Sequence, residues 1–175
     1  VLASLIPKGK NLLDLCAAPG GKSIALLARD PDREITGADL TKDKLRMIRE
    51  NLDRLELDLN LKQWDATEEN PAWLEAYDTV LLDAPCSGTG VLHRQKGESA
   101  DKELYDLEQL TLQQDEMLTH AAKYVKNGGF LIYSTCSILR DENEKRVEEF
   151  LQKHPNFTMV NLSQDEAFYR SYPEE

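Results

Sequence analysis

The chain has 175 residues, of which 41% are hydrophobic and 30% charged, as expected for a soluble globular protein with a core of its own. Its formal net charge of −11 argues against a protein that holds nucleic acid by bulk electrostatics, because phosphate binding usually requires clustered lysine and arginine. The longest apolar runs are far shorter than the roughly 20 residues of a membrane helix, and the three cysteines lack paired spacing. We therefore expect a cytoplasmic protein with reduced thiols and a single domain over residues 1–175.

The first half of the chain alternates short apolar runs with segments of helical spacing. Residues 11–16 form an apolar run that ends at a Pro-Gly-Gly turn, and residues 22–29 then predict a helix. Residues 34–39 predict a second strand, and Thr41 is placed to cap a second helix. Strand, helix and strand in this order are typical of a βαβ unit.

The second half of the chain continues this alternation. Three further apolar runs predict strands: residues 59–64, 78–83 and 130–134. A long helix is predicted between the last two runs, and a capping-box pattern at 141–144 predicts a helix that ends near Pro155. Residues 157–162 predict a sixth strand. We therefore expect an α/β fold with a mostly parallel, doubly wound sheet.

The glycine turn after the first strand is a candidate nucleotide site. Small residues between Cys16 and Ser23 let backbone amides approach a ligand, and the next helix offers its positive end. A P-loop would need glycine where Cys16 stands, and a dinucleotide fingerprint would need three spaced glycines. Asp39, at the end of the second strand, is placed to accept hydrogen bonds from a ribose diol, as in sites for adenosine cofactors. The alternative is a tight turn without a ligand, with Asp39 capping the helix after Thr41.

Two cysteines follow predicted strands and are candidate active-site thiols. Cys86 lies in Asp-Ala-Pro-Cys-Ser-Gly-Thr-Gly at 83–90, and Cys136 in Tyr-Ser-Thr-Cys-Ser at 133–137. Ligands collect at the carboxyl ends of parallel strands, and neighbouring strands lie only about 5 Å apart, so both thiols could share one pocket. A metal site is not expected, because three histidines show no ligand spacing with any cysteine: His93, His120 and His154.

Four segments in this order resemble the Sun-type RNA cytosine-5 methyltransferases, in particular the bacterial enzymes that modify small-subunit ribosomal RNA. They are residues 14–22 (Asp-Leu-Cys-Ala-Ala-Pro-Gly-Gly-Lys), Asp39, residues 83–90, and residues 134–137 followed by Glu142-Asn143. The resemblance spans roughly residues 12–151 and implies a Rossmann-like fold dependent on S-adenosylmethionine. It also implies that Cys136 is the nucleophile and that Cys86 assists product release.

The same resemblance implies a set of cofactor contacts. They are Cys16, Ala17, Ala18, Pro19, Gly20, Gly21, Lys22, Asp39, Asp65 and Asp83. The side chain of Cys16 is expected to be a packed small hydrophobe whose backbone faces the cofactor. Trp64 and Trp73 are placed in the core rather than in the site, because scattered aromatic residues of an α/β domain are usually buried.

The implied chemistry explains why two thiols and an acid are needed. C5 of cytosine is a poor nucleophile, and a thiolate that adds at C6 generates an electron-rich enamine able to take a methyl group. Cys136 needs a polar or positive surrounding to ionise, with Lys22 or a loop amide as possible sources. Asp83 is placed to bond the cytosine edge and stabilise the enamine. The target base must be splayed out of a stem or already single-stranded.

Three other functions remain open on the sequence. A DNA cytosine methyltransferase would use Cys86 as its nucleophile, a scaffold in ribosome assembly would bind the cofactor without turnover, and a P-loop phosphohydrolase would bind ATP. Residues 93–97 lack the Arg-rich, Pro-Asp-containing segment usual in Sun-type enzymes, and the polar segment 93–102 is either a lid or a solvated loop. Because the chain starts at Val1, we expect a fragment of a longer protein whose N-terminal RNA-binding domain is missing.

Overall fold

The computed structural model describes residue 6 and residues 11–90 and 107–160. The described strands form one parallel five-stranded sheet. In chain order they are β1 (Asn11–Asp14), β2 (Glu34–Asp39), β3 (Asn60–Gln63), β4 (Tyr77–Asp83) and β5 (Val125–Ser134). Their spatial order is β3-β2-β1-β4-β5, so the chain winds outward from β1 and then reverses at β4. The carboxyl ends of β1 and β4 therefore flank the topological switch point, where ligands bind in such sheets.

Helices cover both faces of the sheet. The described helices are α1 (Gly21–Arg29), α2 (Lys42–Arg54), α3 (Leu107–Tyr124) and α4 (Glu144–Lys153), with short 3-10 segments at Pro71–Trp73 and Arg140–Glu142. One core cluster joins α1 and α2 to the sheet through Leu12 and Leu81. A second joins α3 and α4 to it through Leu13 and Val80. Because successive strand residues point to opposite faces, the buried runs of β1 and β4 fill both clusters, and the predicted doubly wound sheet is confirmed.

Most of the predicted helices and strands are confirmed. The contacts at their ends explain where some of them begin. Thr41 caps α2 by accepting a hydrogen bond from the amide of Lys44 at 3.3 Å. The last strand is longer than predicted, because β5 already pairs with β4 at Val125 and continues through the Asn-Gly-Gly segment. Gly128 has φ of +77°, a left-handed conformation that glycine adopts without steric cost.

Two predictions in the C-terminal part were wrong. Residues 157–160 form no strand, because the ring of Phe157 packs against Phe150 with centroids 5.4 Å apart and its apolar character serves that contact. Residues 161–162 lie outside the described residues. The capping box at 141–144 is also absent, since α4 begins at Glu144 and Asn143 makes no side-chain cap. The polar segment 93–102 lies outside the described residues as well.

None of the helices among residues 11–90 and 107–160 combines the length and the apolar character needed to cross a membrane.

Candidate active site

The glycine turn between β1 and α1 leaves room beside its backbone. Gly20 has φ of +98°, and a Cβ there would lie 3.1 Å from Cγ2 of Ile48, so the fold itself requires glycine at this position. Gly21 differs, because a Cβ built on it meets no atom within 4 Å. The turn therefore needs only the first glycine for its shape, and the open space at the second is available to a ligand.

Asp39 ties the end of β2 to the glycine turn. Its buried carboxylate accepts a hydrogen bond from the amide of Ala18 at 2.9 Å and one from the amide of Leu40 at 2.8 Å. The ammonium group of Lys44 lies 2.9 Å from the same carboxylate. The alternative role of Asp39 as the cap of α2 is not what the structure shows, since Thr41 performs it. A carboxylate has about four acceptor sites, so these contacts leave capacity for a ligand hydroxyl.

Asp83 links the glycine turn to the strands that carry the cysteines. It lies at the end of β4, and its carboxylate forms an ion pair with Lys22 of α1. The hydroxyl of Ser134, at the end of β5, donates a hydrogen bond to it at 2.6 Å. Because Asp83 and Ser134 are direct partners in the sheet register, the two cysteine-bearing loops leave the sheet side by side.

The two thiols meet where these loops leave the sheet. The Sγ atoms of Cys86 and Cys136 lie 3.0 Å apart, as the parallel-strand argument predicted. The amide of Cys136 also donates to Sγ of Cys86 at 3.3 Å. Cys86 is half-buried and Cys136 is exposed, so a substrate can reach the pair.

The net effect of the described surroundings of Cys136 is to raise the pKa of its thiol. Burial raises the pKa of Cys136 to about 11, and the Cys86 side chain and the negative charge of Asp83 act in the same direction. Lys22, one of the expected sources of activation, is instead paired with Asp83. With its pKa raised, the Cys136 thiol must lose its proton before the sulfur can act as a nucleophile.

The remaining predicted residues are placed as follows. Cys16 is half-buried and packs against the core, as expected, and burial raises the pKa of its thiol to about 12, with Asp39 and Asp14 adding to the effect. The carboxylate of Asp65 accepts hydrogen bonds from the amide and hydroxyl of Thr67 at 2.9 and 2.7 Å, which makes it a turn residue whose adenine contact stays a prediction.

Trp73 lies in the core, as predicted, and Trp64 is half-buried and packs against it. Their rings meet edge to face with centroids 5.6 Å apart, and Trp73 is buried.

Two buried carboxyl groups near the site were missed by sequence reasoning. Asp14, at the end of β1, accepts a hydrogen bond from the hydroxyl of Ser23 at 2.6 Å, while its Oδ1 has no partner among the described residues. Glu142 lies beneath the loop of Cys86 and is fully buried. An acid inside the apolar run Leu-Leu-Asp-Leu was a visible signal for Asp14, whereas Glu142 lay in the quoted Glu-Asn pair with no role attached. Among residues 11–90 and 107–160, no group of three or more histidine, cysteine, aspartate or glutamate side chains could hold a metal ion.

The chain is similar to bacterial ribosomal RNA methyltransferases over most of its length. A family model described as "16S rRNA methyltransferase RsmB/F" matches residues 3–174. Ribosomal RNA small subunit methyltransferase B of Pectobacterium atrosepticum is 38% identical over 160 residues, which cover 90% of this chain and 37% of that protein. The protein of the same name from Shewanella oneidensis is 39% identical over 162 residues, covering 91% of this chain and 38% of that protein. The chain thus spans less than two fifths of the length of these curated relatives.

Solved structures give the same result. The crystal structure of PH0851 superposes with a TM-score of 0.80 at 34% identity, covering 94% of this chain and 38% of that one. NSun6 from Pyrococcus horikoshii, solved with SFG, has a TM-score of 0.71 at 33% identity, covering 81% of this chain and 36% of that one.

These comparisons confirm the Rossmann-like fold and the resemblance to Sun-type enzymes. They also confirm S-adenosylmethionine as the cofactor of this family and fold, since SFG is an analogue of it. The chain belongs to the family described as 16S rRNA methyltransferase RsmB/F.

Proposed function

We propose that the chain is the catalytic domain of an enzyme that transfers the methyl group of S-adenosylmethionine to C5 of cytidine in small-subunit ribosomal RNA. The observation that carries this proposal is the pair of thiols 3.0 Å apart at the ends of β4 and β5, beside Asp83 and the glycine turn. Methylation of a nitrogen or an oxygen atom needs no covalent adduct, whereas C5 of cytosine must first be made electron-rich by a nucleophile at C6. The names of the curated relatives support ribosomal RNA as the substrate, and with that substrate we propose a cytoplasmic location.

The residues around the glycine turn fit the cofactor. Open space beside Gly21 lets the backbone approach a ligand, and the N-terminus of α1 points toward the turn. Asp39 and Asp83 supply carboxylates for hydroxyl and ammonium groups, and Asp65 is proposed to bond the adenine. When bound, S-adenosylmethionine supplies an electrophilic methyl group on a sulfonium.

Cys136 is proposed to attack C6 of the target cytosine. The Sγ–C6 bond forms as the thiol proton passes to N3 of the cytosine, and the carboxylate of Asp83 accepts a hydrogen bond from that N3–H group, which stabilises the enamine. Because burial raises the pKa of Cys136, this proton transfer is a required step.

Cys86 is proposed to act after methyl transfer. The C5 proton must then leave, and the electrons of the broken C5–H bond re-form the C5–C6 double bond as the sulfur of Cys136 departs from C6. Cys86 lies beside Cys136 and is placed to promote this release.

The proposal is tested by mapping the methylated product. The chain is incubated with labelled S-adenosylmethionine and saturating small-subunit ribosomal RNA, and the digested nucleosides are separated and identified by mass. We expect label in 5-methylcytidine, and none with the Cys136→Ala variant. Label in a different nucleoside, or label in DNA of the same sequence but not in RNA, would refute the proposal. Binding of S-adenosylmethionine without label in any RNA would identify a scaffold instead.

A further inference from the structure

The loop of Cys86 is held from both sides by a buried pair of side chains. Oε1 of Glu142 accepts a hydrogen bond from the amide of Ser87 at 2.9 Å, and Oε2 accepts one from the hydroxyl of the same residue. Gln114 of α3 donates to Glu142 at 3.0 Å and to the carbonyl of Pro85 at 2.9 Å. Both neighbours of Cys86 along the chain are therefore fixed by Glu142 and Gln114, each of which is fully buried.

The loop of Cys136 is held in the same way by the next residue of the chain. Nδ2 of Asn143 donates to the carbonyls of Ser137 and Leu139 at 3.0 and 2.9 Å. Oδ1 of Asn143 accepts a hydrogen bond from the hydroxyl of Thr135 at 2.7 Å. Thr135 and Ser137 flank Cys136, so Asn143 fixes both neighbours of the second thiol.

The two loops are also joined directly. The amide of Gly90 donates to the carbonyl of Cys136 at 2.9 Å, and the hydroxyls of Thr89 and Ser137 share a hydrogen bond of 3.0 Å. A Cβ on Gly90 would lie only 2.5 Å from that carbonyl oxygen, so the loops touch through their backbones. The thiol–thiol distance is therefore set by a network in which Glu142 and Asn143 are consecutive anchors.

The charge of Glu142 strengthens its hold on the loop. Burial raises the pKa of Glu142, but hydrogen bonds from Ser137, Ser87 and Gln114 outweigh it, so the net pKa lies below its usual value. An ionised carboxylate accepts stronger hydrogen bonds than a neutral amide, and it leaves expensive unpaired donors if it is removed.

We infer that Glu142, Gln114 and Asn143 form a thiol clamp whose role is to position Cys86 and Cys136 for action on the same base. This inference rests on the proposed function, because it assumes that both thiols serve one reaction. The clamp residues are positioning residues and not catalytic ones. They act by fixing the backbone on both sides of each sulfur, since misplacement of reacting groups by about 1 Å costs up to about a hundredfold in rate.

The clamp is tested by measuring how readily the two thiols form a disulfide with each other, without RNA or cofactor. The equilibrium with glutathione gives the effective concentration of one protein thiol at the other. The chain is equilibrated with reduced and oxidised glutathione, and the Cys86–Cys136 disulfide is quantified by mass spectrometry. In this exchange the two protein thiols are oxidised to one disulfide while one glutathione disulfide is reduced to two glutathione molecules. Replacing Glu142 by leucine should lower the effective concentration at least about tenfold.

Two further variants make this readout specific. Glu142→Gln keeps one acceptor oxygen and the side-chain shape, so it should remain within about threefold of the wild type. Leu52→Ala truncates a fully buried side chain of the other core cluster, and it should leave the effective concentration unchanged despite its cost in stability. If Glu142→Leu does not fold, Asn143→Ala carries the same expectation, because it removes the anchors of the Cys136 loop.

Methyl transfer gives the second readout. We expect kcat to fall at least about tenfold in Glu142→Leu and in Asn143→Ala, with an unchanged KM for S-adenosylmethionine, because the clamp does not touch residues 16–22. Wild-type effective concentration in a folded Glu142→Leu or Asn143→Ala variant would overturn the inference. Loss of effective concentration in the variants, together with a wild-type chain that methylates no RNA, would instead overturn the proposed function and leave the clamp as a structural fact.

Discussion

Asp14 in the glycine-turn region and Glu142 in the cysteine-loop region are both buried, yet their pKa values shift in opposite directions. Asp14, beside the glycine turn, has one side-chain donor in Ser23, and burial raises its pKa to about 6. Glu142, beneath the cysteine loops, is also buried, but donors on Ser137, Ser87 and Gln114 bring its pKa below the usual value. Several hydrogen-bond donors lower the pKa of Glu142, whereas burial and the negative charges of Asp83 and Asp39 raise that of Asp14. Asp14 thus lies beside the proposed cofactor site, whereas Glu142 holds the Cys86 loop in place.

Removing the carboxyl group of Glu142 should lower the free energy of unfolding much more than removing that of Asp14. Glu142→Leu leaves the amide of Ser87 and the side chain of Gln114 without their acceptor, so the free energy of unfolding should fall by about 4 kcal/mol. Asp14→Leu frees only the hydroxyl of Ser23, and the loss should be about 2 kcal/mol or less. Urea titrations at pH 7 measure both values. Equal losses would contradict the distinction between anchor and isolated acid.

The pH dependence of stability sharpens the comparison. The folded pKa of Asp14 is raised to about 6, so its contribution to stability is complete below the ordinary carboxyl value and is lost as pH rises through 6. Relative to an Asp14→Asn variant, the wild type should lose about 2 kcal/mol between pH 4 and pH 7. Unfolding free energies of the two proteins across this range give the difference directly, and a constant difference would show that Asp14 is ionised throughout.

Glu142 should behave in the opposite sense. Its folded pKa is lowered, so its contribution is present above the ordinary carboxyl value and is lost as pH falls through the folded pKa. The difference between the wild type and Glu142→Gln should therefore be constant from pH 5 to pH 8. A slope in that window would contradict an ionised anchor.

The smallest expected difference in stability is between alanine substitutions at Gly90, in the cysteine loops, and at Gly21, in the glycine turn. Gly90→Ala forces a Cβ against the carbonyl of Cys136, and it should cost about 2 kcal/mol because backbone must move. Gly21→Ala meets open space at the start of α1, so stability should be unchanged or higher by up to about 1 kcal/mol. We expect the same Gly21→Ala variant to bind S-adenosylmethionine more weakly, as measured by calorimetry. Unchanged affinity would mean that this backbone does not approach the cofactor.

Local sequence patterns were sufficient to predict the strands and turns on which the candidate site is built. The Pro-Gly-Gly turn, the apolar runs and the two cysteine motifs predicted the strands, and parallel neighbours explain why Cys86 and Cys136 meet. The clamp could not be predicted this way, because Gln114 reaches Glu142 only through the packing of α3 against the 3-10 segment. The capping box was misread for the same reason, since the side chain of Asn143 turns back to the Cys136 loop.

The direction of the pKa shift of Cys136 could not be predicted from the sequence either. Lys22 and a loop amide were reasonable activators, but the pairing of Lys22 with Asp83 and the direction of the Cys136 amide depend on three-dimensional contacts between distant segments. The apolar residues at 157–160 led to a wrong strand prediction. The ring of Phe157 instead packs against that of Phe150, a contact that the sequence pattern does not reveal.

The central claim is that both thiols act on one cytosine, with Cys136 forming the covalent bond. The most direct measurement incubates the Cys86→Ala variant with small-subunit ribosomal RNA and S-adenosylmethionine, and then maps any denaturation-resistant protein–RNA complex by peptide mass. We predict a trapped complex whose linked peptide contains Cys136, and none when Cys136 is also replaced by alanine. A complex that survives in the Cys136→Ala variant, with the RNA linked to Cys86, would contradict this assignment.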